Sequence, residues 1–415
     1  MRPPGMRDML PDDMERFRRI EGAFRTACLG WGYREVRTPT IERLHLFTAA
    51  GTLSPQMLDR VYSFLDWDGW SGERVVLRPD STIPVARLYV ETLKEAPVAK
   101  LFYVQSVLRF AEGDDSREDW QCGAELIGDT YPLGDIELIL IACETLQRLG
   151  LTPEIKLSDP GILRAVFSRA GYDQSEQLAV YDRVLDGDAS AFSEVLERLP
   201  DSTGAALQLL SMEGEGPAFL ANLRSVLEPA IPDVAPIISE LASIADVLTG
   251  MGQTPTIAPA LVRNFEYYTG PVFHLFVNGT KVAGGGRYDA LISQIGGPTV
   301  PASGFALEME PLSALLASSA SAVQPAIAIR SAGPNGTDMG AIFSLARALR
   351  DAGVNVHLVG AGDDFSPLPR TREGPGVRVI TASSEGFSLT SKNGQARHLT
   401  RVEEVVQAVS DAGHD

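Results

Sequence analysis

Apolar residues between positions 12 and 29 recur at helical spacing. Met14, Phe17, Ile20, Phe24 and Ala27 form one stripe, with Pro11 and Asp12 before it and Gly30 after it. The pattern predicts an amphipathic helix over 12–29, opened by a proline and stopped by a glycine. The rhythm then shortens. Residues 33–39 (YREVRTP) and 75–78 (VVLR) predict short strands, and the second ends at Pro79-Asp80-Ser81-Thr82, where Pro84 suits the first turn of a following helix. Residues 100–110 and 120–127 predict two strands joined by a polar loop at Gly113-Asp114-Asp115-Ser116. From about 165 to 250 Ala, Leu, Glu and Asp dominate, as in Glu194-Val195-Leu196-Glu197-Arg198-Leu199, and a helical insertion is expected. Strand pattern returns near 260. Residues 271–277 and 280–283 flank Asn278-Gly279, a strong hairpin signal, and a helix is expected after Gly284-Gly285-Gly286-Arg287-Tyr288-Asp289. Residues 313–324 pass from a helix end into a Ser/Ala linker. Beyond it, 326–329, 342–350, 354–359 and 377–380 read as strand, helix, strand and strand, a small α/β domain.

Composition narrows the classes. The chain has 415 residues, enough for two to four domains, and 44% hydrophobic with 22% charged residues is ordinary for a globular protein. No apolar run is long enough to span a bilayer, and Met1-Arg2-Pro3-Pro4-Gly5 lacks the apolar stretch of a signal peptide. Cys28, Cys122 and Cys143 are odd in number and widely spaced, which argues against a disulfide framework or a cysteine zinc site and for a reduced cytoplasm. A net charge of −18 with scattered basic residues argues against a nucleic-acid partner, although net charge does not decide any one local patch.

Candidate chemistry begins with the strand around Gln121. Period-two alternation puts Gln121, Gly123 and Glu125 on one face and Cys122, Ala124 and Leu126 on the other. A polar face with a glycine gap suits a small polar ligand, and it equally describes a solvated sheet face. Tyr267 and Tyr268 read by themselves as core aromatics, Arg263 as an ion-pair partner and Gly284 to Gly286 as a turn. That glycine run is no P-loop, because no Gly-Lys-Ser/Thr follows it.

Several segments in order resemble the histidyl-tRNA synthetase family. Gly5-Met6-Arg7-Asp8-Met9-Leu10-Pro11 is similar to its N-terminal G-x-x-D-x-L-P, and Arg37-Thr38-Pro39-Thr40-Ile41-Glu42 to its first motif. Leu108-Arg109-Phe110 resembles the F-R-Y of its second motif. The run from Leu261 to Gly270 (LVRNFEYYTG) is similar to the histidine-specific L-V-R-G-L-D-Y-Y-T-G, and Gly285-Gly286-Arg287-Tyr288-Asp289 matches G-G-R-Y-D. The stretch Leu77-Arg78-Pro79-Asp80-Ser81-Thr82, followed by Pro84 to Arg87 (PVAR), looks more like the regulatory subunits of ATP phosphoribosyltransferase, a synthetase-like family without catalysis of its own.

The resemblance implies an α+β fold of class II aminoacyl-tRNA synthetase type. Residues 1–320 would form an antiparallel sheet core with flanking helices, interrupted by the helical insertion at about 165–250. Residues 321–415 would form a small α/β domain resembling an anticodon-binding domain, without an evident RNA surface. A histidine pocket is implied: Glu125 and Tyr268 at the imidazole, Asp80, Thr82 and Gln121 at the ammonium, Arg263 at the carboxylate, and Tyr267 and Arg109 within the same set. Arg109 occupies the position that holds the ATP α-phosphate in the synthetases.

The third motif departs from the synthetase pattern. Gly304-Phe305-Ala306-Leu307-Glu308-Met309-Glu310-Pro311-Leu312 resembles G-F-A-x-G-x-E-R-L, but Pro311 replaces the arginine that lies against ATP and Glu308 replaces a glycine. The second-motif loop is short and acidic at Glu112-Gly113-Asp114-Asp115. Acidic groups repel a triphosphate, and removing one transition-state donor typically costs about two to three orders of magnitude in rate. The expectation is therefore no catalytic residue, no cofactor and no metal. The chain would be a non-catalytic regulatory subunit in histidine biosynthesis that dimerises through its first motif, joins the short-form ATP phosphoribosyltransferase catalytic subunit in a hetero-oligomer and binds L-histidine as feedback signal. No membrane and no tRNA partner is expected. An active histidyl-tRNA synthetase and a stand-alone histidine sensor are the alternatives.

Overall fold

The structure is a computed structural model. It describes residues 1–50, 60–67, 72–111, 116–128, 132–185, 189–199, 210, 212–261, 267–316, 326–331, 339–359, 378–390 and 396–411. The chain divides into two compact units, Met1–Ser318 and Ser319–Asp415.

In chain order the strands of the first unit are β1 (Arg34–Glu35), β2 (Ile41–Arg43), β3 (Ser63–Trp67), β4 (Gly72–Leu77), β5 (Ala99–Leu108), β6 (Glu118–Ile127), β7 (Glu154–Ser158), β8 (Gly214–Glu215), β9 (Thr256–Ile257), β10 (Val272–Val277), β11 (Thr280–Arg287) and β12 (Ala302–Glu308). Nine of them form one sheet in the order β1-β5-β6-β12-β11-β10-β7-β9-β8, and β2-β4-β3 form a small separate sheet. The run from β5 through β10 to β7 is antiparallel throughout. Asn278 and Gly279 take φ of 50° and 75° and close the β10–β11 hairpin, the two left-handed positions that a tight hairpin turn requires.

One face of this sheet is the main core. The helix Pro11–Gly30 carries Phe17, Ile20, Phe24 and Ala27 onto it, and Leu133–Arg148 adds Leu138, Ile139, Ala142 and Leu146. Cys122, Ala124 and Leu126 of β6 project into this core, and Phe24 meets Phe102 and Phe305 edge-on. Cys28, Cys122 and Cys143 are all free and buried there, and burial raises the pKa of each thiol. The opposite face carries the helix Thr82–Leu88, whose Ile83, Val85 and Ala86 pack with Leu101, Tyr103 and Tyr288. The helices Pro160–Arg169, Gln174–Leu185, Ala189–Glu197, Gly216–Leu227 and Val234–Gly250 lie between β7 and β9 in sequence, with β8 among them.

Two sequence expectations change. The strand expected over 33–39 shrinks to Arg34–Glu35, with one further ladder bond from the Val36 N–H to the Phe102 carbonyl. Pro39 has no N–H, and the Thr38 N–H donates to Gln105 Oε1 instead of a neighbouring strand. Second, Gly284 to Gly286 lie inside β11 rather than in a turn. A Cβ on Gly285 would overlap the Gly304 carbonyl and Phe305 Cβ, so the glycine is needed for close sheet packing.

The second unit has a five-stranded sheet of β13 (Ala326–Ser331), β14 (Asn355–Val359), β15 (Arg378–Ser383), β16 (Gly386–Thr390) and β17 (Ala396–Leu399), in the order β14-β13-β15-β16-β17. β14 and β15 flank β13 in parallel, and an antiparallel meander of β16 and β17, not expected from the sequence, completes it. Helices Met339–Asp351 and Val402–Asp411 seal its core through Leu345, Leu349 and Val405. Asp363, Asp364 and Pro367 to Pro369, used above to argue against an RNA surface, lie outside the described residues.

Because each unit has its own core, Leu345→Ala should cost the second unit about 2–5 kcal/mol. Hydrogen exchange should accelerate in Met339–Asp351 and stay unchanged in Leu133–Arg148. Equal acceleration in both helices would show that the two cores are not independent.

Candidate functional site

Register places a polar floor on the face opposite the main core. Gly304 of β12 pairs with Glu125 of β6 and Gly286 of β11, Ala306 pairs with Gly123 and Gly284, and Glu308 pairs with Gln121. On the other flank, Leu101, Tyr103 and Gln105 of β5 oppose Glu125, Gly123 and Gln121. Residues opposed in register share a face, so small residues run across the middle of this floor. Gln121, Gly284, Ala306 and Glu308 keep partial solvent access.

Among the described residues Glu125 is the most buried acidic side chain, with 1% of its surface exposed. Its Oε1 accepts from the Tyr103 hydroxyl at 3.2 Å, and its Oε2 accepts from the Tyr288 hydroxyl. The Thr82 side chain lies beside this carboxyl and lowers its pKa. Loss of water pushes Glu125 up to about 8, opposed by the Tyr288, Thr82 and Tyr103 hydroxyls and reinforced by Asp80. A Cβ at Gly304 would overlap Glu125 Oε2, and one at Gly123 would overlap the Tyr103 ring. The glycine gap at 123 is therefore filled by Tyr103, and any ligand lies above that ring rather than in the gap.

Asp80 and Thr82 reach the same pocket from the start of the Thr82–Leu88 helix. Asp80 Oδ1 accepts from the Ile83 N–H at 3.0 Å, and burial raises its pKa against the pull of that bond and of Arg109. Tyr267 stacks on Tyr288 with centroids 5.2 Å apart, and Tyr268 meets Tyr267 edge-on at 5.0 Å. Both phenols are raised, first by burial and then by the charges of Asp80 and Glu125, which places all four groups in one electrostatic neighbourhood. Arg109 lies beside Asp80 and donates from Nε to the Pro79 carbonyl at 2.7 Å. Arg263 lies outside the described residues, as does the acidic loop at 112–115.

Three contributors had no assigned role in the sequence reading. Tyr103 and Tyr288 hold Glu125, and Gln105 anchors the rear wall. Gln105 Oε1 accepts from Thr38 and from the buried Arg78, whose guanidinium also bonds the Thr38 carbonyl at 3.0 Å and the Ser106 carbonyl at 2.7 Å. Tyr288 sits inside the matched G-G-R-Y-D, and Tyr103 could have been found as a large residue two positions from Gln105 on a strand that must face a glycine.

The third-motif departures have definite places. Glu308 stands on the floor beside Gln121, and Pro311 lies in the first turn of the helix Met309–Leu316. Glu310 pairs with Arg7 at 2.8 Å. Cations persist at the second-motif end: besides Arg109, Arg117 lies 4.5 Å over the Phe110 ring and donates to the Ala111 carbonyl. Among the described residues no group of three His, Cys, Asp or Glu side chains is disposed to hold a metal, and no helix is long and apolar enough to cross a membrane.

The fold and this site define a class II synthetase-type core, and comparison with known proteins agrees. The histidyl-tRNA synthetase family model matches residues 5–312. An ATP phosphoribosyltransferase regulatory subunit of Dehalococcoides mccartyi (strain CBDB1) is 45% identical over 364 residues, 87% of this chain and 88% of the relative. A histidine–tRNA ligase of Archaeoglobus fulgidus is 33% identical over 317 residues, 74% of this chain and 73% of the relative. A solved structure from Bacillus halodurans, titled as an ATP phosphoribosyltransferase regulatory subunit/histidyl-tRNA synthetase, superposes with a TM-score of 0.75 at 26% identity, covering 88% of this chain and 94% of that one. The chain belongs to the histidyl-tRNA synthetase family and, within it, to the ATP phosphoribosyltransferase regulatory subunits.

Glu125 sets a pH dependence. Its carboxyl is raised in the folded state from an ordinary 4.5 to about 8, so between those values the unfolded chain releases a proton that the folded one keeps. Stability from this group is therefore highest below about pH 4.5, falls as pH rises toward 8 and is flat above, a loss of a few kcal/mol. In Glu125→Gln that fall should be absent. Thermal midpoints of both proteins across pH 4–9 give the difference curve, and parallel curves would contradict a buried, raised carboxyl.

Proposed function

We propose that the chain is the non-catalytic regulatory subunit of an ATP phosphoribosyltransferase, supporting the first step of histidine biosynthesis and carrying its feedback control by L-histidine. The observation that carries this is the buried polar pocket around Glu125 beside a third motif with Glu308 and Pro311 in place of glycine and arginine. Glu125, with its hydroxyl cage and its tyrosine neighbours, has the chemistry to take an imidazole N–H. Asp80, Thr82 and Gln121 would receive the ammonium, and Arg263 would face the carboxylate with a planar guanidinium. Next to this, Glu308 brings negative charge to the floor and Pro311 supplies no cation.

The partner in this reading is the short-form catalytic subunit, with the chain as a homodimer within the hetero-oligomer. Histidine would favour a less active arrangement, with a coupling of about 1–3 kcal/mol. The 33% identity to a histidine–tRNA ligase and the retained Arg109 favour a second reading, an active synthetase.

Mixing the purified chain with the catalytic subunit and following phosphoribosyl transfer from PRPP to ATP tests the first reading. Activity should rise on mixing and fall with added histidine; a catalytic subunit indifferent to this chain would end the proposal. Histidine-dependent ATP–pyrophosphate exchange tests the second, and none is expected. Glu125→Ala should abolish detectable histidine binding by calorimetry while the chain stays folded.

A further inference from the structure

Behind the floor lies a buried ionic cluster that the proposed binding chemistry does not use. Arg287, the last residue of β11, has 4% of its side chain exposed. Its guanidinium bridges Asp135, at the start of the helix Leu133–Arg148, and Glu240 Oε1 at 2.7 Å, on the helix Val234–Gly250 of the insertion. Asp135 in turn accepts from the Ser303 hydroxyl at 2.7 Å. One residue beyond Arg287 is Tyr288, which holds Glu125.

The same arginine shapes the segment that carries Tyr267 and Tyr268. The Thr269 N–H donates to the Arg287 carbonyl at 2.8 Å, and the Arg287 N–H donates to the Pro271 carbonyl at 3.0 Å. Between them Gly270 lies so close that a Cβ there would stand 2.9 Å from Arg287 Nη1. A second insertion-side cation reaches the segment directly: Arg164 Nη2 donates to the Tyr268 carbonyl at 2.9 Å from the helix Pro160–Arg169. That helix packs on Val234–Gly250 at Gly161, where a Cβ would meet Ile237 Cδ1 at 3.0 Å. The segments that carry Tyr267, Tyr268 and Tyr288 are thus held by arginines that interact with the insertion helices or belong to them.

We propose that Glu240 and Arg164 are positioning residues for the amino-acid pocket, so that the helical insertion sets the pocket's affinity through Arg287 and the Tyr268 carbonyl. The physical basis is geometric. A carboxylate with only a quarter of its side chain exposed fixes the rotamer of a buried guanidinium, and that guanidinium lies against Gly270, whose neighbours Thr269 and Pro271 bond the Arg287 main chain. Removing Glu240 leaves Arg287 with Asp135 and frees it to turn away from the loop. This rests on the reading of the pocket as a histidine site, and by reciprocity an occupied pocket would steady the insertion helices.

The test uses the full chain with Glu240→Ala, Glu240→Gln and, as a control on the same helix, the exposed Asp246→Ala. Calorimetry with histidine should show about a tenfold loss of affinity for Glu240→Ala, within the usual range of such couplings. Glu240→Gln keeps an acceptor oxygen and should restore most of it, and Asp246→Ala should match wild type. Unfolding midpoints show that Glu240→Ala is folded. Amide exchange at Thr269 and Arg287 in the ligand-free proteins gives a second readout and should be faster in Glu240→Ala alone. Wild-type affinity in Glu240→Ala, or unchanged exchange at both amides, overturns the proposal. Should wild type itself fail to bind histidine, the ligand reading falls, and the exchange measurement still decides whether the insertion positions this segment.

Discussion

The burial of one carboxyl group organises the pocket. Glu125 is removed from water on the floor of an antiparallel sheet, and its oxygens must be satisfied by neighbours or remain uncompensated. Tyr103 and Tyr288 supply hydroxyls, from β5 and from the turn after β11, to a carboxyl that stands on β6. The carboxyl therefore fixes three segments relative to one another. Its position depends on Gly304, because any side chain there would fall on the carboxylate itself.

From that centre outward, the arrangement separates binding from chemistry. The inner end has a buried acid, stacked phenols and a helix-start aspartate, which suit a small zwitterion with a polar ring. The outer end has Glu308 on the floor and Pro311 in the first turn of the next helix, the two departures from the synthetase third motif. Arg109 and Arg117 remain near it, held by backbone carbonyls of Pro79 and Ala111.

The sequence made much of this frame legible, for identifiable reasons. The helix over 12–29, the β5 and β6 strands and the Asn278-Gly279 hairpin follow from periodicity and turn chemistry that tertiary contacts did not override. The face carrying Gln121, Gly123 and Glu125 follows from strand alternation alone. What periodicity could not reveal is which side chain fills which gap. Tyr103 covers Gly123 through cross-strand register, a property of two segments together, and Gly284 to Gly286 look like a turn until a neighbouring strand is placed against Gly285. The early end of β1 was hidden for the opposite reason, because Gln105 and Arg78 take backbone bonds that a sheet partner would have made. The β16–β17 meander was missed because GFSLT and ARHL lack the continuous apolar run that marked 326–329.

The floor of small residues has an implication for how such a pocket changes over generations. Gly123 and Gly304 each touch a group that itself holds another, so enlarging either displaces several partners at once. Single steps at those sites would pass through poorly folded forms. A residue on the rim such as Glu308 touches solvent and can vary by itself. Descent from a common ancestor would then hold the inner floor constant and let its rim drift.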